Sequence, residues 1–441
     1  MGKNNLKNKD NNNTPSLNLL SPFNKLVQPK FWLAVVVAIY PLQLLGNLFG
    51  IISIAKISEI ILFIIWCISL TITTKIHINK KILLLSLIFL FAVILSFCLG
   101  ISQNILSLLV YINIIILLLL TVDIVSKHPS TIKTLLTIMA VEGIIVSILG
   151  LFLTLFLRIG TQQLPLLLLK NISRLVTSRA SLFFSNANQF GIYLMIVLSV
   201  MLTLIIIEKN NKKKKIFFIG IIIVMMAILV SFSRTAYIGT AIIVLLFLVK
   251  NKKIRSFIPQ FLLYFLVLLI IISFIVPKFI THGIDLRMQK TKKIFTTGSS
   301  DWSRLQMFPI SLNIWINHPL FGVGVGNITK SPANYLKMEA HNMYLNILTE
   351  TGILGFIIFI ILIFFSWKAI CKSTFISKKY NNEQMYWLSK GLKITFFTIL
   401  LIGFLTNGQT DKLLWLIMGL NFAMFVITKK IPQLIYANKN S

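Results

Sequence analysis

Apolar blocks long enough to span a bilayer, about 20 residues each, recur along almost the whole chain. A helix that is apolar all round has to be buried in protein or in lipid, and no soluble core absorbs so many. The composition agrees: of 441 residues, 56% are hydrophobic, 34 are phenylalanine and only 12% are charged. The expected fold class is an all-α integral membrane protein with about 12 transmembrane helices and one large extracytoplasmic loop. The spans are centred near residues 40, 62, 91, 114, 146, 199, 223, 242, 267, 355, 399 and 420.

With the lysine-rich N-terminus in the cytoplasm, "TKIHINKK", "SKHPSTIK", "KNNKKKK", "KNKKIRS", the 368–393 segment and the "KK" of the tail all fall inside. That is what the positive-inside rule requires. The chain then divides into a polar, low-complexity cytoplasmic tail at 1–30, expected to be disordered, and helices 1–5 at 31–157. Residues 158–277 carry helices 6–9 with the first outside loop, 278–340 form the large extracytoplasmic loop, and 341–441 hold helices 10–12 and a cytoplasmic tail. The tail has no apolar h-region with a cleavage site, so the first span is read as an uncleaved anchor.

A formal charge of +32 suggests nucleic acid in a soluble protein. Here the lysines are dispersed between apolar blocks, so no nucleic-acid partner is expected. Cys67, Cys98 and Cys371 are scattered, with no CxxC pair and no histidine at ligand spacing. They define no zinc site and no redox compartment, and no metal or cofactor is expected.

The arginines are more informative. Arg255 falls inside, whereas Arg158, Arg174, Arg179, Arg234, Arg287 and Arg304 fall outside. Membrane orientation is indifferent between lysine and arginine, but phosphate recognition is not, because the guanidinium fork is planar, bidentate and permanently charged. The competing reading is structural salt bridging, which the few outside acids, Asp285, Asp301, Glu339 and Asp411, argue against.

The "GVGVGN" at 322–327 follows no strand and opens no βαβ helix, so it reads as a tight turn with glycines at positive φ rather than a dinucleotide fingerprint. Neither a DxD pair nor a GxSxG elbow is present. In the large loop, a segment bearing Met307, Phe308, Leu312 and Trp315 is expected to lie along the membrane surface, with Pro309 starting or kinking its helix.

His341, in "EAHNMYLNILTETGILGF", falls at the outer start of the tenth span, where the helix N-terminus disfavours a charged imidazole. A neutral imidazole there can accept a proton. Arg234 lies in the short outside turn "SFSRTAYIG", Arg179 precedes "ASLFFSNANQFG" with its amides Asn186 and Asn188, and Arg304 opens the amphipathic segment. Asn342 and Tyr344 follow the histidine and complete the candidate binding residues. One base and three guanidinium forks at one interface make a phosphate-ester or diphosphate site. Glu350 and Glu142, inside spans, are expected to pair with other helices.

Four blocks, "RASLFFSNANQFGIYL", "SFSRTAYIG", "DWSRLQMFPISLNIWINHPLFGVGVGN" and "EAHNMYLNILTETGILGF", resemble in order those of the O-antigen ligase and polymerase superfamily, over about residues 175–365. The resemblance implies a GT-C-like fold and a metal-independent glycosyltransferase at the outer face of a bacterial inner or plasma membrane. It implies a glycan moved from an undecaprenyl diphosphate carrier to an acceptor glycan or lipid, with other polysaccharide-assembly proteins as candidate partners. By the same resemblance His341 activates or orients the acceptor hydroxyl, Arg234 and Arg304 hold the diphosphate, and Arg179 assists. Where the family often has proline, this chain has Ala187. Polymerisation is the expectation, with ligation or protein glycosylation as alternatives.

A transporter or flippase also fits twelve spans. It would place its long connection inside after span six, where this chain has only "KNNKKKK". A non-catalytic assembly partner would need no histidine and arginines together.

Overall fold

The computed structural model describes residues 28–42, 54–73, 76–160, 184, 186–250 and 300–433. The expected N-terminal tail up to residue 27, the span centred near 267, the outer loop before residue 300, Arg174, Arg179, Arg287 and the Arg158 side chain lie outside the described residues. Among the described residues every regular element is helical. In chain order they are α1 (Pro29–Ile39), α2 (Ile54–Thr73), α3 (Lys80–Leu99), α4 (Ile105–Lys127), α5 (Thr131–Gly160) and α6 (Ala187–Ile207). There follow α7 (Asn211–Ser231), α8 (Arg234–Lys250), α9 (Ser300–Asn317), α10 (Met343–Lys379), α11 (Glu383–Ile402) and α12 (Lys412–Lys429).

Nine of the described helices are long and apolar enough to cross a membrane, and two shorter apolar ones, Pro29–Leu42 and Arg234–Val249, join them. Together they match every expected centre except the one near 267. The chain is an all-α integral membrane protein that crosses its membrane many times.

Polar residues set where these helices begin. The side chains of Asn79, Asn104, Asn186, Asn210, Asn342, Asn382 and Asp411 each accept a backbone N–H of the first turn that follows. Such a cap is worth about 1 kcal/mol, and it satisfies donors that would otherwise be orphaned near lipid.

The connections sort to two ends of the bundle. At one end Tyr40 donates to Asp411, Ser102 meets Asn327, and Met343 N donates to Gly403 O. At the other, the His77 N–H donates to Asp123, and Lys133 pairs with Glu208. The most enclosed helices are α6, packed by α5, α7, α8 and α11, and α12, packed by α4, α10 and α11.

One feature departs from a simple span. About two and a half turns into α10, Gly352 takes φ 64° and ψ −170° and breaks the helix. The 319–324 segment fills the break: Val323 N donates to Thr349 O (2.9 Å), Gly324 N to Glu350 O (3.1 Å), and Ile353 N to Pro319 O (2.8 Å). Irregular backbone inside a membrane bundle survives only where protein supplies its hydrogen bonds. The "GVGVGN" stretch is a turn with positive φ at Gly322, Gly324 and Gly326, and its tertiary role is to plug a membrane helix.

Pro309 does not start its helix. α9 starts nine residues before Pro309 and runs through it. Met307, Ile310 and Ile314 are buried against Val323, Ile328, Ala340 and Leu345, while Leu305, Phe308 and Ile316 are exposed.

Candidate functional site

Arg234 is the first residue of α8 and is exposed at the connection end. Only Phe232 and Ser233 separate α7 from α8, and Phe232 is left-handed (φ 48°), an uncommon conformation for an aromatic residue. The turn is pinned by the Tyr237 hydroxyl donating to Leu229 O (2.6 Å) and by the Tyr237 N–H donating to Ser233 O. It rests on Gly191 of α6, where a Cβ would come within 2.8 Å of the Ala236 methyl and 3.1 Å of Ser233 Cβ. The first turn of α6, with Asn186 and Asn188, therefore lies beside the turn that carries Arg234.

His341 sits one residue before the cap of α10, half-buried, with φ 51°. Its neighbours hold it there. The Ala340 N–H donates to Asn346 Oδ1 (3.1 Å), Asn342 Oδ1 accepts from Tyr344 N and Leu345 N, and Met343 N donates to Gly403 O (2.7 Å). A left-handed, non-glycine residue fixed by the structure around it is the kind of strain that collects at functional sites. Burial first, and then the Arg304 guanidinium, hold the imidazole below the usual histidine range. Arg304 on α9 is thus close enough to be felt by His341, and the neutral base form is favoured.

Residues 219–360 match the family model described as O-Antigen ligase.

The match is consistent with the O-antigen ligase and polymerase superfamily. No curated protein matches the chain. The matched segment takes in Arg234, Arg304, the plug at 319–327 and His341, and it ends just past the break in α10. Asn186 and Asn188 lie N-terminal to it. The apolar helices make the chain a multi-pass membrane protein, and its 219–360 segment is similar to the O-antigen ligase family.

A small cavity lies between α6, the start of α10 and the connection from α11 to α12. It is lined by Gln189 of α6, Met343 of α10, and Gly403, Thr406, Asn407 and Asp411 between α11 and α12. Gln189 follows Asn188, and Met343 lies two residues after His341. The structure therefore brings His341 near Arg304 and places Asn186 and Asn188 beside the Arg234 turn, and none of these five residues lines the cavity itself. Arg179 lies outside the described residues.

Three expected binding residues have structural work as well. The Asn342 and Asn186 side-chain oxygens cap α10 and α6. Tyr344 donates to Leu400 O (2.8 Å), and its ring packs on Phe404 with centroids 4.5 Å apart.

Sequence reasoning missed the 403–411 connection. Asn407 Nδ2 donates to Glu339, and Gln409 accepts from Asn346. Asp411 caps α12 and takes the Tyr40 hydroxyl. Burial pushes the Asp411 carboxyl up, against the Leu413 N–H, the Tyr40 hydroxyl and Lys412. The only signal in the sequence was a polar run, "TNGQTDK", between the last two apolar blocks.

Proposed function

We propose that this protein polymerises undecaprenyl-diphosphate-linked polysaccharide repeat units at the outer face of a bacterial inner or plasma membrane, as a metal-independent glycosyltransferase. The bond from the donor sugar to its diphosphate breaks as the acceptor oxygen bonds to the same carbon. His341 takes the acceptor proton, as a neutral imidazole can. Arg234 and Arg304 hold the diphosphate and stabilise the charge left on it, with Arg179 assisting and Asn186, Asn188, Asn342 and Tyr344 around the substrates. Preorganised cations in a poorly solvated site meet developing charge without reorganisation.

The observation that carries this reading is His341, kept neutral by burial and Arg304 in a left-handed backbone fixed on both sides. Ligation to a lipid acceptor is a second reading, favoured by the description of the matched family.

The test is complementation of strains lacking the cognate polymerase or ligase, comparing wild type with membrane-inserted His341→Ala and Arg234→Ala. Long glycan restored by wild type and by neither variant supports the mechanism. Glycan on a lipid core without lengthening selects the ligase reading. Full activity in both variants removes the mechanism.

A further inference from the structure

A second cavity lies inside the bundle, away from His341. Its polar lining is Tyr40, Glu59, Glu142 and Lys412, and aliphatic side chains of α1, α2, α4 and α12 complete it. The space suits an occupant the size of a water molecule or a monovalent ion.

The charges around it do not balance. Both Glu59 oxygens are satisfied, by Lys412 Nζ at 2.6 Å and by Asn113 Nδ2 at 2.7 Å. Glu142 is only 9% exposed. Its Oε1 accepts from the Tyr193 hydroxyl (2.8 Å), but Oε2 is buried and has no hydrogen-bond partner among the described residues. Two carboxylates thus face one ammonium in a space with apolar walls. The Tyr40 hydroxyl is committed to Asp411. α7, which also packs on α5, carries no titratable side chain after Lys215. A buried carboxylate left uncompensated is strongly disfavoured, and ionisable groups inside a membrane bundle mark proton or ion sites by default.

We propose that this cavity binds one exchangeable positive charge, a proton or a monovalent cation, held by Glu142 opposite the Glu59–Lys412 pair. Tyr193, which donates to Glu142, stacks on Tyr40 with centroids 5.8 Å apart, and Tyr40 donates to Asp411. Asp411 lines the cavity that holds Met343 and Gln189. Occupancy of the inner cavity is therefore linked to the 403–411 connection beside the candidate catalytic site.

The test uses the purified full-length protein in detergent. Thermal unfolding is followed at fixed ionic strength with sodium exchanged for N-methylglucamine, over a range of pH, for wild type and Glu142→Gln. A site filled at a hundredfold excess over Kd raises the apparent Tm by about 3–5 °C, and Glu142→Gln loses that response. A sodium response at constant pH identifies a cation. A pH response specific to wild type, without a sodium response, identifies a proton.

Should Glu142→Gln fail to accumulate, infrared difference spectra of wild type across the same change decide. A carboxyl signal that moves with the thermal midpoint supports the site. Equal responses of wild type and variant, or no carboxyl change, overturn it.

Discussion

The plug in α10 makes its sharpest prediction at Gly352. With φ 64° and ψ −170°, this residue occupies a region open essentially to glycine alone, and a side chain there costs about 1–3 kcal/mol. An alanine Cβ would also lie 2.2 Å from the Leu320 carbonyl oxygen, a backbone atom with no freedom to rotate away. The 319–324 segment has to withdraw. The bonds from Val323, Gly324 and Ile353 that join it to α10 are then lost, at about 1 kcal/mol each. Gly352→Ala should therefore destabilise by about 4–6 kcal/mol, mostly as undocking of the outer segment. Gly408→Ala is the control, because its nearest neighbour would be Met343 Sδ at 3.6 Å, and it should stay within about 0.5 kcal/mol. The assay combines thermal unfolding in detergent with limited proteolysis of residues 300–342. A Gly352→Ala protein as stable, protease-resistant and active as wild type refutes the argument that the break is built around this glycine.

Three further predictions follow from single contacts. Asn342→Ala removes the cap on Tyr344 and Leu345 and should cost about 1 kcal/mol. Asn342→Asp keeps the accepting oxygen, so lost glycan transfer at unchanged Tm would separate a substrate role from capping. Tyr111→Phe takes a donor from the buried Glu350 Oε2 (3.1 Å) and should cost about 1–3 kcal/mol in thermal unfolding; no change would mean this bond does not orient the carboxylate. The Arg304 charge lowers the His341 pKa, so the base form survives to lower pH, and the acidic limb of kcat/KM lies below the ordinary histidine value of about 6.5. Arg304→Gln removes that charge and should move the limb to higher pH, whatever it does to the maximum; a limb that stays put or moves lower contradicts the pairing.

The span positions were legible because apolar length is a local property that survives any tertiary arrangement. The break in α10 was not, because "TETGILGF" reads as one more stretch of an apolar run until a second segment is known to enter it. Glycine spacing told that residues 322–327 turn, and it could not tell where the turn docks. The asparagines before the spans were legible as polar groups at helix ends. In Asn186 and Asn342 the side-chain oxygen already serves the helix start, an ordinary use that precedes any substrate. The 403–411 connection carries no charged motif, and its place depends on partners at Glu339, Met343 and Asn346.

These hidden parts share one support. The 300–342 segment is tied to α10 twice, by the plug at 319–324 across Gly352 and by Ala340 bonding Asn346. α9 packs on the same helix through Met307, Ile310 and Ile314, which meet Val323 of the plug and Leu345 of α10. Arg304 and His341 are thus carried by two attachments to α10, one on its first turns and one at its break, rather than by a free loop. A group that has to hold a base next to a guanidinium within a fraction of an ångström needs that kind of support. It follows that substitutions in the plug, well away from any substrate, should disturb the His341 pH limb as well as stability. Substitutions on the exposed stripe of α9, at Leu305 or Ile316, should leave that limb in place.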